Sequence, residues 1–181
     1  LRNFADMETA DGSRKKDYVF YFGRYSEEKG IRTLLKVCRN LPEIPFVFAG
    51  SGDLENLVNA APNVENVGFL SGEALSRKIA EARFTIFPSE CYENCPFSVM
   101  ESVLNATPVI GTNAGGVPEL IEEGKTGELF QAGDDEELTQ KVKELWQDRE
   151  RCEKYAENCK TVHFDTLEEY CEKLCGLYKG E

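Results

Sequence analysis

Short apolar runs of about four or five residues alternate with longer amphipathic stretches along most of this 181-residue chain. The runs are nearly continuous in apolar side chains, as is typical of strands that are covered on both faces of a parallel sheet. They lie at residues 18–22, 46–49, 64–67, 84–87, 108–110 and 128–130. Alternating strands and helices build βαβ units with right-handed crossovers. The pattern therefore predicts an α/β fold, a Rossmann-like doubly wound parallel sheet of about six strands.

The stretches between the runs carry apolar residues at helical spacing. They predict helices over residues 31–39, 53–60, 71–82 and 97–104, and a helical C-terminal tail over 134–146, 151–160 and 165–178. Asp53 and Ser71 stand where two N-caps would lie, and Pro96 suits the start of a helix. In an open parallel sheet the ligand crevice lies beyond the carboxyl ends of the strands. The loops to consider are therefore those at residues 23–30, 50–53, 68–72, 89–96 and 111–118.

Charge and composition exclude several classes of protein. The net charge of -12 argues against a nucleic-acid partner and against a polybasic patch by which the protein would bind a membrane. No apolar run reaches the roughly 18 to 20 residues of a membrane span, and the first residues lack the pattern of a signal peptide. Seven cysteines, an odd number, favour free thiols in a reducing cytoplasm, and a single histidine without paired C-x2-C cysteines argues against zinc. Cys171 and Cys175 stand one helical turn apart and predict core packing.

The loop after the first predicted strand carries two cations between two glycines. Gly23 allows a tight turn, and Arg24 and Lys29 together can clamp a phosphate or a diphosphate. The loop has neither the P-loop spacing nor that of the dinucleotide fingerprint. It lies within the one basic segment of this acidic chain, residues 14–39. A small nucleotide is thus compatible with the overall acidity.

Two carboxylates stand eight positions apart around the loop at residues 89–96. Glu93 belongs to the loop, whereas Glu101 lies about one turn into the next predicted helix, among apolar residues. A carboxylate there has to find hydrogen-bond partners or shift its pKa, and ribose hydroxyls are suitable partners. The alternative is that Glu101 points to solvent. The amides of the first helical turn, near Phe97 and Ser98, suit an anion.

Several motifs follow one another along the chain. They are G-R-x4-K-G, G-F-L, P-S-E with E-x7-E, P-V-I-G and G-G-V-P-E. In this order and spacing the chain resembles the C-terminal, nucleotide-sugar-binding domain of retaining glycosyltransferases of the GT-B fold, family 4 (glycosyl transferases group 1). The resemblance covers roughly residues 18–148, and the helical tail fits it as well.

The resemblance implies a role for each motif residue. Arg24 and Lys29 bind the donor diphosphate and stabilise the leaving group, Glu93 lies near the donor sugar, and Glu101 holds the ribose. The resemblance implies a catalytic set of Arg24, Lys29 and Glu93, and it implies no metal ligand. The other implied donor-binding residues are Gly23, Gly68, Phe69, Leu70, Phe97, Ser98 and Val99. Pro96 departs from a common form of the motif and lacks an amide proton, so one backbone donor is lost there.

The implied reaction transfers a hexosyl group, such as mannosyl or glucosyl, with retained configuration. The donor is a nucleoside-diphosphate sugar (UDP or GDP), the acceptor is a saccharide or a lipid-linked molecule, and neither a cofactor nor an essential metal is expected. The setting is bacterial polysaccharide biosynthesis at the cell envelope, in the cytoplasm, with peripheral attachment to the inner membrane face left open. A GT-B epimerase or phosphorylase-like enzyme and a non-enzymatic α/β interaction module are the alternatives.

The resemblance also divides the chain. Residues 1–17 form an arm or interdomain linker, residues 18–148 the nucleotide-sugar-binding domain, and residues 149–181 helices that pack toward an N-terminal acceptor domain. Nothing in the sequence corresponds to that acceptor domain, and the chain does not begin with Met. We therefore expect a fragment that can bind a donor and is inactive in transfer by itself.

Overall fold

A computed structural model describes residues 4–5, 9–10 and 14–179. Within them, six parallel strands form one sheet in the order β3-β2-β1-β4-β5-β6. The strands are β1 (Val19–Phe22), β2 (Phe46–Ala49), β3 (Val64–Asn66), β4 (Phe84–Phe87), β5 (Val109–Thr112) and β6 (Gly127–Phe130). The predicted six-stranded α/β sheet is therefore confirmed. Part of the predicted arm, residues 1–17, lies outside the described residues.

The α-helices alternate with the strands as far as β5, and three more follow β6 as the predicted tail. They are α1 (Ile31–Asn40), α2 (Glu55–Asn59), α3 (Gly72–Glu81), α4 (Phe97–Leu104), α5 (Asp135–Gln147), α6 (Arg149–Cys159) and α7 (Leu167–Lys179), with a short 3-10 turn at Val117–Glu119. No helix in the described ranges has the length and apolar character that crossing a bilayer requires.

The order in which the chain adds strands to the sheet reverses between β1 and β4. Strand β1 pairs with β2 on one side and with β4 on the other, so the two halves of the chain grow outward from this point. Open parallel sheets bind ligands beyond the carboxyl ends of the strands at such a switch point. The loops after β1 and β4 are therefore the ones that the topology places at a crevice.

The central strands are buried, as their apolar runs predict, but β3 is not. Val64 and Asn66 are only partly buried and Glu65 is exposed. The expectation that this run is covered on both faces was wrong, because β3 is an edge strand that pairs with β2 alone. Its single apolar residue, Val64, packs against the main core cluster.

A side chain at the N-cap position stabilises the start of some helices and not of others. Asp134 caps α5, its carboxylate accepting hydrogen bonds from the amides of Glu136 and Glu137. The predicted cap at Asp53 was wrong, because α2 begins two residues later and Leu54 occupies the N-cap position. Ser71 does occupy the N-cap of α3, although its side chain makes no capping hydrogen bond.

The tail helices differ in how they pack. On α5, Leu138, Val142 and Leu145 stand at helical spacing and are fully buried against the sheet. On α7, by contrast, none of the described residues is buried, and Cys171 and Cys175 are exposed. The prediction that these two cysteines pack in the core was therefore wrong. Spacing alone does not distinguish a stripe that meets the sheet from one that faces outward.

Candidate functional site

Two adjoining clefts open at the carboxyl edge of the sheet. The first, of about 310 Å³, is lined by Phe22, Gly23, Arg24, Ala49, Gly50, Ser51, Phe69, Leu70 and Leu75. The second, of about 210 Å³, is lined by Tyr21, Phe22, Gly23, Lys29, Phe87, Pro88, Ser89, Ser98 and Glu101. Both include Phe22 and Gly23, so they meet at the end of β1. A ligand with an apolar ring at one end and polar groups at the other would fit across them.

Lys29 and Glu93 form an ion pair between the loop after β1 and the loop after β4. The Lys29 ammonium donates a hydrogen bond to Glu93 Oε1, and both side chains are largely buried, 30% and 21% exposed. The same oxygen accepts hydrogen bonds from Ser89 Oγ at 3.1 Å and from Cys91 Sγ at 3.3 Å. Burial disfavours the charged carboxylate, but these three donors and the charge of Lys29 outweigh it and lower the pKa of Glu93.

The glycine pair in the loop after β5 packs closely against the backbone of the loop that carries Glu93. Gly116 donates its amide hydrogen bond to the Glu93 carbonyl oxygen at 2.8 Å. Gly115 has φ +58°, and a Cβ there would lie 2.2 Å from the same oxygen. Only glycine allows this approach. The G-G-V-P-E motif is therefore a structural support that fixes where Glu93 stands.

Glu101 projects from α4 and lines the second cleft, half-buried. Within the described part of the chain, no side chain donates a hydrogen bond to its carboxylate, and burial raises its pKa. The structure thus turns Glu101 toward the cleft rather than into open solvent. A carboxylate in this setting is suited to accept hydrogen bonds from hydroxyl groups of a ligand.

Arg24 and Lys29 do not stand side by side. Arg24 lines the first cleft with its side chain 72% exposed, and its nearest acidic neighbour, Glu28, is 4.0 Å away. Lys29 lines the second cleft. Because the clefts meet at Gly23, both cations are within reach of one ligand that spans them. They do not form a preassembled clamp at one point.

The remaining predicted donor-binding residues divide into two groups. Phe69 and Leu70 line the first cleft, Ser98 lines the second, and Gly68 holds the end of β2 by accepting a hydrogen bond from the amide of Gly50 at 2.9 Å. Phe97 is half exposed and lines neither cleft, and Val99 is fully buried in a core cluster. The Val99 amide donates to the Pro96 carbonyl at 3.2 Å, so the structure does not bring it to the clefts.

Sequence reasoning missed two residues at this site. Ser89 and Cys91 donate to Glu93, a contact that the motifs do not predict. Ser89 lies in the P-S-E motif, which contributes to the resemblance by its place among the motifs and predicts no contact of Ser89. The signal in the sequence is its place two residues after the apolar run at 84–87, and the structure leaves its side chain only 1% exposed.

Solved structures define the class of fold. The chain superposes on the Anabaena protein HepE in complex with UDP with a TM-score of 0.80 at 21% identity, over 91% of this chain and 49% of that one. It superposes on sucrose-phosphate synthase from Thermosynechococcus elongatus with a TM-score of 0.79 at 23% identity, over 91% and 45%. These likenesses confirm the predicted Rossmann-like half of a GT-B fold.

The family follows from the sequence. The family model described as glycosyl transferases group 1 matches residues 6–162, and the chain belongs to this family. It is 37% identical over 151 residues to sulfoquinovosyl transferase SQD2 of Arabidopsis thaliana, covering 80% of this chain and 29% of the relative. It is 28% identical over 188 residues to alpha-D-kanosaminyltransferase of Streptomyces kanamyceticus, covering 97% and 48%. The chain thus spans less than half the length of these two relatives.

Proposed function

We propose that this chain binds a nucleoside-diphosphate sugar and supplies the donor half of a retaining hexosyltransferase. The observation that carries the proposal is the convergence of Lys29 and Glu101 on one cleft, with Glu93 bonded to Lys29 beside it. Lys29 binds the diphosphate from the second cleft and Arg24 approaches it from the first. Glu101 accepts the ribose hydroxyls, and the base lies against Phe69 and Leu70.

The arrangement suits the chemistry of glycosyl transfer. As the glycosidic bond breaks, negative charge gathers on the departing nucleoside diphosphate. Fixed cations and amides at a helix start stabilise that charge more in the transition state than in the ground state. Lys29, Arg24 and the amide of Ser98, in the first turn of α4 at the second cleft, supply these groups, so the proposal requires no metal and no cofactor. A diphosphate is also a good leaving group, so the two-carboxylate scheme of hydrolases is not needed.

The relatives support a transferase over the epimerase, phosphorylase-like and non-enzymatic alternatives. The relatives named above are transferases of sulfoquinovosyl and kanosaminyl groups, and a third is a GDP-mannose-dependent alpha-mannosyltransferase of Corynebacterium glutamicum, 29% identical. HepE carries UDP in the same fold. We propose a hexosyl group as the transferred sugar and a saccharide or a lipid-linked molecule as its acceptor.

We further propose that the tail and the arm face an acceptor domain. The Ala5 amide donates to the Asp165 carbonyl at 2.9 Å, and the rings of Phe4 and Tyr170 lie 5.4 Å apart, so residues 4–5 of the arm contact the tail. Leu177 and Tyr178 of α7 are exposed apolar residues. Such a surface fits a second domain, and transfer by this chain alone is then not expected.

Calorimetric titration with UDP, GDP, ADP and their sugars tests the donor proposal. We expect saturable binding of one nucleotide family, weakened in Lys29→Met and unchanged in Lys36→Met, a lysine that pairs with Asp135 away from both clefts. A folded chain that binds none of these nucleotides would overturn the proposal. Substantial sugar transfer by the chain alone would overturn the expectation that it is inactive by itself.

A further inference from the structure

We propose that Glu93 competes with the diphosphate for Lys29, so that it weakens the hold on the nucleoside-diphosphate product, and that Ser89 and Cys91 keep Glu93 in position to do so. This inference rests on the proposed donor-binding function. It goes beyond that function because it gives Glu93 a task that opposes product retention, in addition to the proposed contact with the donor sugar.

Three hydrogen-bond donors hold the Glu93 carboxylate in place. Its Oε1 atom accepts from the Lys29 ammonium, from Ser89 Oγ at 3.1 Å and from Cys91 Sγ at 3.3 Å. The Ser89 and Cys91 side chains also contact each other, with 3.2 Å between Oγ and Sγ. A carboxylate with three donors on one oxygen cannot turn away without losing all three bonds. Glu93 therefore stays beside Lys29 unless another group replaces it there.

Lys29 also lines the second cleft, as Glu101 does. A diphosphate in that cleft has to share the one ammonium with the Glu93 carboxylate, and it also meets the negative charge of Glu93. Both side chains of the pair are mostly buried, so solvent screens the competition only in part. A diphosphate that gains hydrogen bonds to Lys29 displaces the bond of Glu93 to Lys29. The loss of that bond offsets part of the binding free energy.

Donor and product differ in the hydrogen-bond partners that they offer to Glu93. With the sugar attached, Glu93 can exchange its bond to Lys29 for a bond to a sugar hydroxyl. Once the sugar has left, the nucleoside diphosphate offers Glu93 nothing in return, and Glu93 competes for Lys29 again. The same carboxylate therefore favours the donor and disfavours the product.

Calorimetry with the intact chain tests this inference, using the nucleotide that wild type binds and the corresponding nucleotide sugar. Glu93→Gln keeps the size of the side chain and removes its charge. We expect the variant to bind the nucleoside diphosphate about fivefold more tightly, the scale of a partly exposed ion pair, and to bind the nucleotide sugar more weakly than wild type. Glu90→Gln is the matched control, because the neighbouring Glu90 accepts from Thr33 Oγ1 and not from Lys29.

A Lys29→Met background makes the test specific. If Glu93 acts through Lys29, the gain of Glu93→Gln disappears in that background, whereas a gain of the same size would overturn the competition. Side-chain NMR titration of Glu93 reports on the positioning residues. Ser89→Ala and Cys91→Ala should each raise the pKa of Glu93, and Cys91→Ser should restore it; an unmoved pKa would overturn their role.

The two proposals fail differently. Wild-type protein that binds no nucleoside diphosphate overturns the donor-binding function and this inference with it. Wild-type binding with unchanged or weaker diphosphate affinity in folded Glu93→Gln overturns the inference alone. Folding of each variant is checked by its thermal melt.

Discussion

A Cβ atom on Gly30 would lie 1.9 Å from the carbonyl oxygen of Pro88. Gly30 closes the loop after β1 and is the N-cap of α1, with φ +70°, while Pro88 opens the loop after β4. The two loops that carry Lys29 and Glu93 are thus pressed together one residue from Lys29. This contact, rather than the Lys29–Glu93 ion pair alone, sets the distance between the two sides of the proposed diphosphate site.

Gly30→Ala should therefore separate the two loops and destabilise the fold. The left-handed backbone costs about 1 to 2 kcal/mol for a residue with a Cβ, and the clash adds roughly 1 to 3 kcal/mol. Gly124→Ala is the control, because Gly124 has φ +75° but nothing within 4 Å of the added Cβ. Urea unfolding should show the larger loss for Gly30→Ala. Equal losses would mean that the clash with Pro88 is relieved at no cost.

The sequence is sufficient to predict the sheet, because apolar runs and helical periodicity are local properties. It also indicates Lys29, Glu93 and Glu101, since motif order does not depend on tertiary contacts. The Lys29–Glu93 bond could not be predicted in this way, because its partners lie 64 positions apart and meet only after the sheet forms. The edge position of β3 and the exposure of Cys171 have the same origin: both depend on what packs beside them.

Glu101→Gln should stabilise the protein at neutral pH and weaken nucleotide binding. Burial raises the pKa of Glu101, so the folded state holds this proton more tightly than the unfolded state. Between the ordinary pKa and the raised one, wild-type stability falls as the pH rises. In thermal melts, Glu101→Gln should have the higher melting temperature at pH 7, and its difference from wild type should be larger at pH 7 than at pH 4.

The same substitution, Glu101→Gln, should lower the affinity for the nucleotide although it raises the stability of the fold. A carboxylate that accepts ribose hydroxyls contributes about 1.5 to 3 kcal/mol for a hydrogen bond to a charged group, and calorimetry should show a loss of that order in Glu101→Gln. Exposed Glu43 supplies the control substitution, Glu43→Gln. A variant that is both less stable and equally good at binding would contradict the placement of Glu101 in the nucleotide site.

Arg24 and Lys29 should contribute unequally to diphosphate binding, although the sequence motif treats them alike. Lys29→Met should cost about 1.5 to 3 kcal/mol of binding free energy, because its side chain is only 30% exposed and lines the second cleft. Arg24→Met should cost less than about 1 kcal/mol, because its side chain is 72% exposed. Titrations at two salt concentrations separate them, since added salt should reduce the Arg24 contribution more. Equal losses would indicate that Arg24 closes over the ligand.

Lys15→Met should change how stability depends on pH at alkaline values. The Lys15 ammonium donates to Thr107 Oγ1 at 2.6 Å, and burial lowers the pKa of Lys15 from 10.5 to about 8. Between those two values the unfolded chain binds more protons at this position than the folded protein does, so wild-type stability gains from Lys15 as the pH rises through this window. Below about pH 8 the buried charge is a cost, and Lys15→Met should then be the more stable protein.

The advantage of the variant should shrink as the pH approaches 10.5, the ordinary pKa of a lysine. Lys16→Met supplies the matched control, because the neighbouring Lys16 is 59% exposed and pairs with Glu81. Urea unfolding of the three proteins at pH 7 and at several values up to pH 10.5 gives the comparison. Parallel curves for wild type and Lys15→Met would show that Lys15 keeps its proton in the fold, which its burial beside Thr107 opposes.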